Sequence, residues 1–224
     1  MSSQEDWAKV DHYITEALDI ADTDMENIQK RSAAAGLPSI EVAPNQGKLL
    51  QLAVQMSGAE KILEIGTLGG YSTVWMAKAL PAAGKLITLE ADPRHAEVAR
   101  ANFQSAGYDH LIELREGPAL ESLPRLEGET FDLIFLDADK ENTPAYFKWA
   151  LRLAHKGTVI ICDNVVRRGE VADETRESPV NEGIRRFFEE AAKEPRVNAT
   201  AVQTVGEKGH DGLAVLIVTE DSSS

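Results

Sequence analysis

The chain has 224 residues, 43% hydrophobic and 27% charged, enough for one sizeable core, so a single domain over residues 1–224 is expected. Its 23 basic and 37 acidic residues leave a net charge of −14, which disfavours a nucleic-acid partner because such binding draws on Lys and Arg neutralising phosphates. The lone Cys162 excludes an internal disulfide framework and a cysteine-rich zinc site.

No run approaches the roughly 18 apolar residues of a membrane span, and the opening MSSQEDWAKVDH has no apolar signal core, so a soluble, cytoplasmic protein with no membrane partner is expected. Before residue 61 the sequence predicts helices only. The clearest carries Leu49, Leu52, Ala53 and Met56 at helical spacing after a break over 44–47. From residue 61 onward, short apolar runs at 61–65, 85–90, 111–114, 131–137 and 158–163 alternate with helical stretches. These stretches align Trp75, Met76, Ala79 and Leu80, then Ala99, Phe103 and Ala106, then Tyr146, Phe147, Ala150, Leu151 and Ala154. Repeated strand, helix, strand predicts a mostly parallel sheet covered on both faces, which is why residues 133–136 are continuously apolar. A polar loop over 167–179 then leads into a helix with Val180, Ile184, Phe187, Phe188 and Ala191 on one face. The last two runs, 197–205 and 213–219, lie one short glycine-containing turn apart, too close for a parallel crossover, so the last strand should be antiparallel. No repeat or linker divides the chain, and the serine-rich ends, residues 2–3 and 222–224, are expected to fray.

In an open parallel sheet, ligands bind beyond the carboxyl ends of the strands. Glu64, Glu90, Asp137 and Asp163 end or flank four of the parallel runs. One such carboxylate is an ordinary polar surface position, whereas four on one rim point to a shared site. The first run opens into Gly66-Thr67-Leu68-Gly69-Gly70-Tyr71-Ser72. Its G-x-x-G-G spacing, in place of G-x-G-x-x-G, argues against a bound diphosphate and for a smaller nucleoside. Glu90 is placed to accept from ribose hydroxyls, and Gly117-Pro118-Ala119 is either an ordinary turn or a bed for an adenine ring. Asp137-Ala138-Asp139-Lys140 and Asp163-Asn164 put two carboxylates and a carboxamide on neighbouring strand ends. Such an oxygen-only set suits a hard cation, Mg²⁺, Mn²⁺ or Ca²⁺. Lys140 reads either as a solvated charge or as an amine reaching over that cation.

The segments LEIGTLGGYS, LITLEADP, FDLIFLDADK and VIICDNVVRRGEV, in this order, resemble the cation-dependent S-adenosylmethionine (SAM) O-methyltransferases, the class of catechol and caffeoyl-CoA O-methyltransferases. The resemblance spans residues 37–218. It implies an α/β fold with a Rossmann-like seven-stranded sheet, mostly parallel with an antiparallel last strand and helices on both faces. Residues 1–60 would form extra helices covering the site, and 61–219 the sheet core. By the same resemblance, SAM is held by Val42, Glu64, Gly66, Thr67, Ser72, Glu90, Ala119 and Asp137. A divalent cation, Mg²⁺ foremost, sits on Asp137, Asp163 and Asn164, while Lys140 is the general base beside Asp137. A small phenolic or catechol acceptor and a homodimer are also implied. Two positions depart from the pattern. Thr143 stands where members often carry an aromatic residue, and Arg167 with Arg168 stand where plant members have apolar or glycine residues, so the arginines either meet an anionic group on the acceptor or face solvent.

Methyl transfer from a sulfonium is an in-line displacement that needs an aligned, ionised oxygen. A phenol ordinarily titrates near about 10, and adjacent hydroxyls beside a divalent cation titrate well below that, with Lys140 placed to take the proton. An NAD-dependent oxidoreductase is the rival reading. It is disfavoured by the missing G-x-G-x-x-G and by the absence of Y-x-x-x-K, since Tyr71, Tyr108 and Tyr146 are followed four residues on by Trp75, Ile112 and Ala150. A nucleic-acid methyltransferase would want a Pro-Cys or an Asn/Asp-Pro-Pro-aromatic motif, which the chain lacks. A non-catalytic cofactor-binding module would bind SAM without metal-dependent turnover.

Overall fold

The apolar runs become the strands β1 (Lys61–Ile65), β2 (Lys85–Glu90), β3 (Ile112–Glu116), β4 (Phe131–Leu136) and β5 (Ala154–Asp163), all parallel, in one seven-stranded sheet. The structure, a computed structural model, describes residues 3–20 and 22–221. The hairpin of β6 (Val197–Gly206) and β7 (Gly209–Val218) completes the sheet in the order β3-β2-β1-β4-β5-β7-β6, with β7 antiparallel to both neighbours. Strand order reverses between β1 and β4, and that is where the site forms.

Period-2 alternation sends Leu63, Ile65, Ile134, Leu136, Ile160 and Leu216 to one face, under α7 (Thr143–Arg152) and α8 (Pro179–Lys193), through Phe147, Ile184 and Phe187. Ile62, Leu86, Leu133, Phe135 and Ile161 face the other way, onto α2 (Thr23–Ala34), α3 (Pro44–Ser57), α4 (Tyr71–Ala77) and α5 (Pro93–Ala106). The strand limits differ from the sequence reading most in three strands. β3 lies slightly later than 111–114. β5 begins at Ala154, read as the last helical position, because Phe131 pairs with Ala154 in the ladder. β7 begins at Gly209, because the register Gly206↔Gly209 and Val205↔His210 carries the ladder through residues whose polarity reads as turn.

The N-terminal part is helical, as expected, but differs in detail. Ser3, expected to fray, accepts from the Asp6 amide (3.3 Å) while Asp6 accepts from the Ser3 amide (2.9 Å), a capping box that starts α1 (Gln4–Ala17). The rest of the serine ends, residues 2 and 222–224, lies outside the described residues. The break over 44–47 is instead the first turn of α3: Pro44 occupies a position whose N–H has no helical partner to lose. The phase of α3 is also different. Leu50, Gln51 and Val54 are buried, while Leu49, Leu52 and Met56, members of the apolar stripe that marks the helix in the sequence, are 43%, 42% and 76% exposed. α3 carries two apolar stripes, and spacing alone does not choose between them. Among the described residues no helix is long and apolar enough to cross a membrane.

Gly47 sets how closely α3 approaches the core. A Cβ there would lie 2.2 Å from Cδ1 of the buried Trp75. Gly47→Ala should therefore cost about 1–3 kcal/mol. A fall in thermal midpoint of about 2–4 °C per kcal/mol is the expected readout, and an unchanged midpoint would show that the ring yields freely.

Candidate active site

The turn after β1 depends on a residue without a side chain. Gly66 has φ +101°, and a Cβ there would sit 2.3 Å from the Asp137 carbonyl oxygen. The Gly66 amide donates to the Leu89 carbonyl (3.0 Å) and the Asp137 amide to the Ile65 carbonyl (2.8 Å), so the ends of β2, β1 and β4 are tied at one point. Above it lies a cavity of about 570 Å³. Of the residues expected to hold a nucleoside cofactor, Val42, Gly66, Thr67, Ser72, Glu90, Ala119 and Asp137 line it. Lys140 and Asn164 line it too.

Glu64 is placed elsewhere. As the fourth residue of β1 it shares the face of Ile62, under α4, and is fully buried behind the cavity wall. Its carboxyl accepts from the hydroxyls of Ser72 (2.6 Å), Thr73 and Thr88 (2.7 Å). Because Thr88 donates to Glu64, its oxygen is left to accept from Thr67 (2.5 Å). Glu64 thus orients Ser72 and Thr67, which do line the cavity. Burial pushes its pKa up to about 7 against the pull of the three hydroxyls. Glu90 ends β2 as expected, and its carboxylate ties down the glycine loop by accepting from the amides of Thr67 (3.2 Å), Leu68 (2.7 Å) and Asp92 (2.9 Å).

The oxygen donors converge from β4 and β5. The 8% exposed Lys140 donates from Nζ to Oδ1 of Asp137 at 3.0 Å. Burial is the largest single influence and works to lower the Lys140 pKa, but the charges of Asp137, Cys162 and Asp163 and the hydrogen bond to Asp137 together outweigh it and hold the amine protonated above its ordinary value. Asp163 is buried, accepts from Gln46 Nε2 (2.7 Å) and from the Asn164 amide (2.8 Å), and is pushed up to about 7 by burial and by the neighbouring Asp137 carboxylate. Buried Asp163 and half-buried Asp137 facing one ammonium leave negative charge uncompensated, and the free donors are oxygen. That chemistry fits a hard divalent cation. Among the described residues no three His, Cys, Asp or Glu group to hold a metal, so such a site depends on the carboxamide of Asn164.

Asp163 does not line this cavity. It lines a second pocket of about 430 Å³ that shares Val42, Asn164 and Arg167 with the first and adds Gln46, Arg168 and His210. Thr143 is buried and lines neither pocket, while Tyr146, one turn further along α7, lines the first and donates to Asp139 Oδ1 (2.5 Å). In the sequence Tyr146 is indistinguishable from the other apolar positions of its helix. His95 and Gln46 were also missed. His95 follows Glu90 closely enough for the strand-end rule to find it, whereas the contact of Gln46 with Asp163 has no local signal.

The sequence profile of the O-methyltransferase family matches residues 16–215. The chain is 49% identical over 212 residues to catechol O-methyltransferase of Niastella koreensis, covering 93% of this chain and 96% of that one. It is 44% identical over 218 residues to catechol O-methyltransferase of Mycobacterium tuberculosis, covering 97% and 99%. Among solved structures, the O-methyltransferase from Bacillus cereus in complex with SAH superposes with a TM-score of 0.95 at 53% identity, covering 97% of this chain and all 100% of that one. The O-methyltransferase TomG from Streptomyces achromogenes in complex with SAM gives 0.93 at 42% identity, covering 98% and 100%.

The buried Glu64 makes stability depend on pH. An acid whose folded pKa is raised costs nothing below its ordinary value of 4.5; the cost grows as pH rises to about 7 and is constant above. Its ceiling is on the order of 3 kcal/mol. Glu64→Gln keeps the shape without the charge, so its thermal midpoint relative to the unsubstituted chain should rise between about pH 5 and pH 8. A difference that stays flat across that range would show that Glu64 does not titrate there.

Proposed function

Because the chain belongs to the O-methyltransferase family, whose reaction is SAM-dependent transfer of a methyl group to oxygen, we propose that it methylates one hydroxyl of a small catechol-like acceptor with the help of a divalent cation. The observation that carries this reading is the junction of the two pockets. Asn164 lines both, Asp137 and Lys140 close the cofactor side, and Asp163 closes the other. SAM occupies the larger cavity in this reading, with Glu90 facing the ribose and Ala119 the adenine. Asp137, Asp163 and Asn164 would hold the cation, with Mg²⁺ foremost. When bound, it would act as a Lewis acid that eases ionisation of the acceptor hydroxyl near neutral pH.

Lys140 supplies the proton acceptor. In the structure its amine holds its proton because Asp137 is 3.0 Å away. With a cation held by Asp137 and Asp163, the interactions that keep the Lys140 proton would weaken, the ammonium would release that proton to solvent, and the free amine would then take one from the acceptor hydroxyl. Burial, which favours the neutral amine, then works in the same direction. The free, buried Cys162 is in keeping with a cytoplasmic location.

The homodimer implied by the sequence is assigned to the exposed stripe of α3. Leu49, Ala53 and Met56 line an apolar groove of about 480 Å³ together with Val159, Val215 and Ile217 of the sheet. Exposed Val202 of β6 lies across from Leu213, which lines the same groove. A second copy is the fitting occupant, since among its described lining residues Asp163 is the charged one. A two-fold contact therefore buries this strip on itself without opposing the charges that a −14 chain carries elsewhere.

Incubation with SAM and a catechol should give the methylated product, a chelator should abolish turnover, and Mg²⁺ should restore it while SAM binding persists. Full turnover in a chelated sample would overturn the role of the cation. In the same assay Lys140→Met should lose about a hundredfold to ten-thousandfold in rate. Light scattering should give about twice the chain mass of 24.4 kDa, with Met56→Glu returning it to one chain. A single-chain mass for the unsubstituted protein at micromolar concentration would exclude the dimer.

A further inference from the structure

The second pocket is where the acceptor must lie if the reading above holds, and its charges are not all paired. Four acidic and three basic side chains line it, together with His210. Lys208 pairs with Glu41 at 3.4 Å, and Arg167 lies 3.9 Å from Asp211. Glu170 keeps its charge but is held toward α8 by the Asn181 amide group, which donates to it at 3.3 Å, and Asp163 is committed to Gln46 and to the proposed cation. Arg168 is exposed and, among the described residues, has no acidic partner.

The backbone makes the position unusual. Arg167, Arg168 and Gly169 have φ of 51°, 59° and 87°, three consecutive residues in the left-handed region. An L-residue there is strained where glycine is not. Asp211 holds the turn by accepting from the amides of Val166 and Arg167, both at 3.0 Å, and the Gly169 amide closes it onto the Val166 carbonyl at 3.0 Å. Glycine at 168 would satisfy the same turn with less strain, so the turn itself does not account for the arginine. What the arginine adds is a guanidinium at the mouth of the acceptor pocket.

We propose that Arg168 is a specificity-determining residue that selects a catechol-like acceptor carrying a carboxylate on the part of the ring remote from its hydroxyls. This rests on the methyl-transfer reading and names its substrate class. A planar guanidinium matches a carboxylate with two parallel hydrogen bonds, and one unpaired guanidinium balances one negative charge, where a phosphate dianion would call for more donors. The net charge of −14 repels anions at a distance. Selection of an anionic acceptor therefore needs a local cation such as this one, and an uncharged acceptor would need none.

The test compares kcat/KM for 3,4-dihydroxybenzoate with that for its uncharged isostere 3,4-dihydroxybenzamide. The unsubstituted enzyme should favour the benzoate. The ratio should fall about three- to tenfold in Arg168→Gln and in Arg168→Gly, which relaxes the left-handed backbone and so separates loss of charge from a folding defect, while Arg168→Lys should recover part of it. A ratio that is the same in all four proteins would overturn the proposal. A second arm needs no turnover. Calorimetric titration of 3,4-dihydroxybenzoate into protein loaded with S-adenosylhomocysteine and Mg²⁺ should show weaker binding in Arg168→Gln. If neither acceptor is methylated but this binding weakens, the methyl-transfer reading falls and Arg168 stands as an anion contact; equal binding in the two proteins overturns the proposal.

Discussion

The site depends on the absence of one side chain. Where β1 and β4 separate, the Asp137 carbonyl occupies the space a Cβ on Gly66 would take, 2.3 Å away. Any other residue there would push the two strand ends apart. With glycine, the amide of Asp137 reaches the Ile65 carbonyl, and the carboxylate of β4 comes to lie beneath the loop that β1 feeds. Cofactor pocket and oxygen donors are therefore not two sites brought together by a flexible segment. They are the two sides of one strand crossing, as expected at the reversal point of an open parallel sheet.

Around that crossing the chain places three acids, Glu64 and Asp163 buried and Asp137 half-buried, and treats each differently. Glu64 is held by hydroxyl donors and serves as a buried peg that aims Ser72 and Thr67. Asp137 has an ammonium, and Asp163 has a carboxamide and a backbone amide. Uncompensated charge away from water is costly, so under the proposed reading the last two would share a further cation, whereas Glu64 is satisfied by neutral donors and needs none. Three carboxyls that look alike as strand-end residues are thus sorted by what donates to them.

The sorting also marks what the sequence could tell. Glu90, Asp137 and Asp163 were legible because an apolar run followed by a polar turn fixes a strand end, and strand ends of a parallel sheet share one rim. Glu64 follows the same rule only in part: one residue before the strand end, parity puts it on the face of Ile62, under α4 and off the cavity lining. Gln46 was not legible, since its partner Asp163 is 117 positions away and only the folded path of α3 brings them together. The phase of α3 was lost for a related reason. Leu49 and Leu50 begin two apolar stripes of similar strength, and the choice between them is made by Trp75 packing onto Gly47, a contact between distant residues.

That choice joins two parts of the molecule that sequence order keeps separate. The turn of α3 that places Gly47 against Trp75 also carries Gln46, whose amide holds the carboxylate of Asp163. The next turns carry Leu49, Leu52 and Met56 outward. A rotation of α3 about its axis that buried the outward stripe would carry Gln46 away from Asp163 and drive Gly47 off the indole. The helix can keep its hold on the donor set only by leaving the stripe exposed, so the apolar groove follows from how Asp163 is positioned, and covering it falls to something outside this chain's own core.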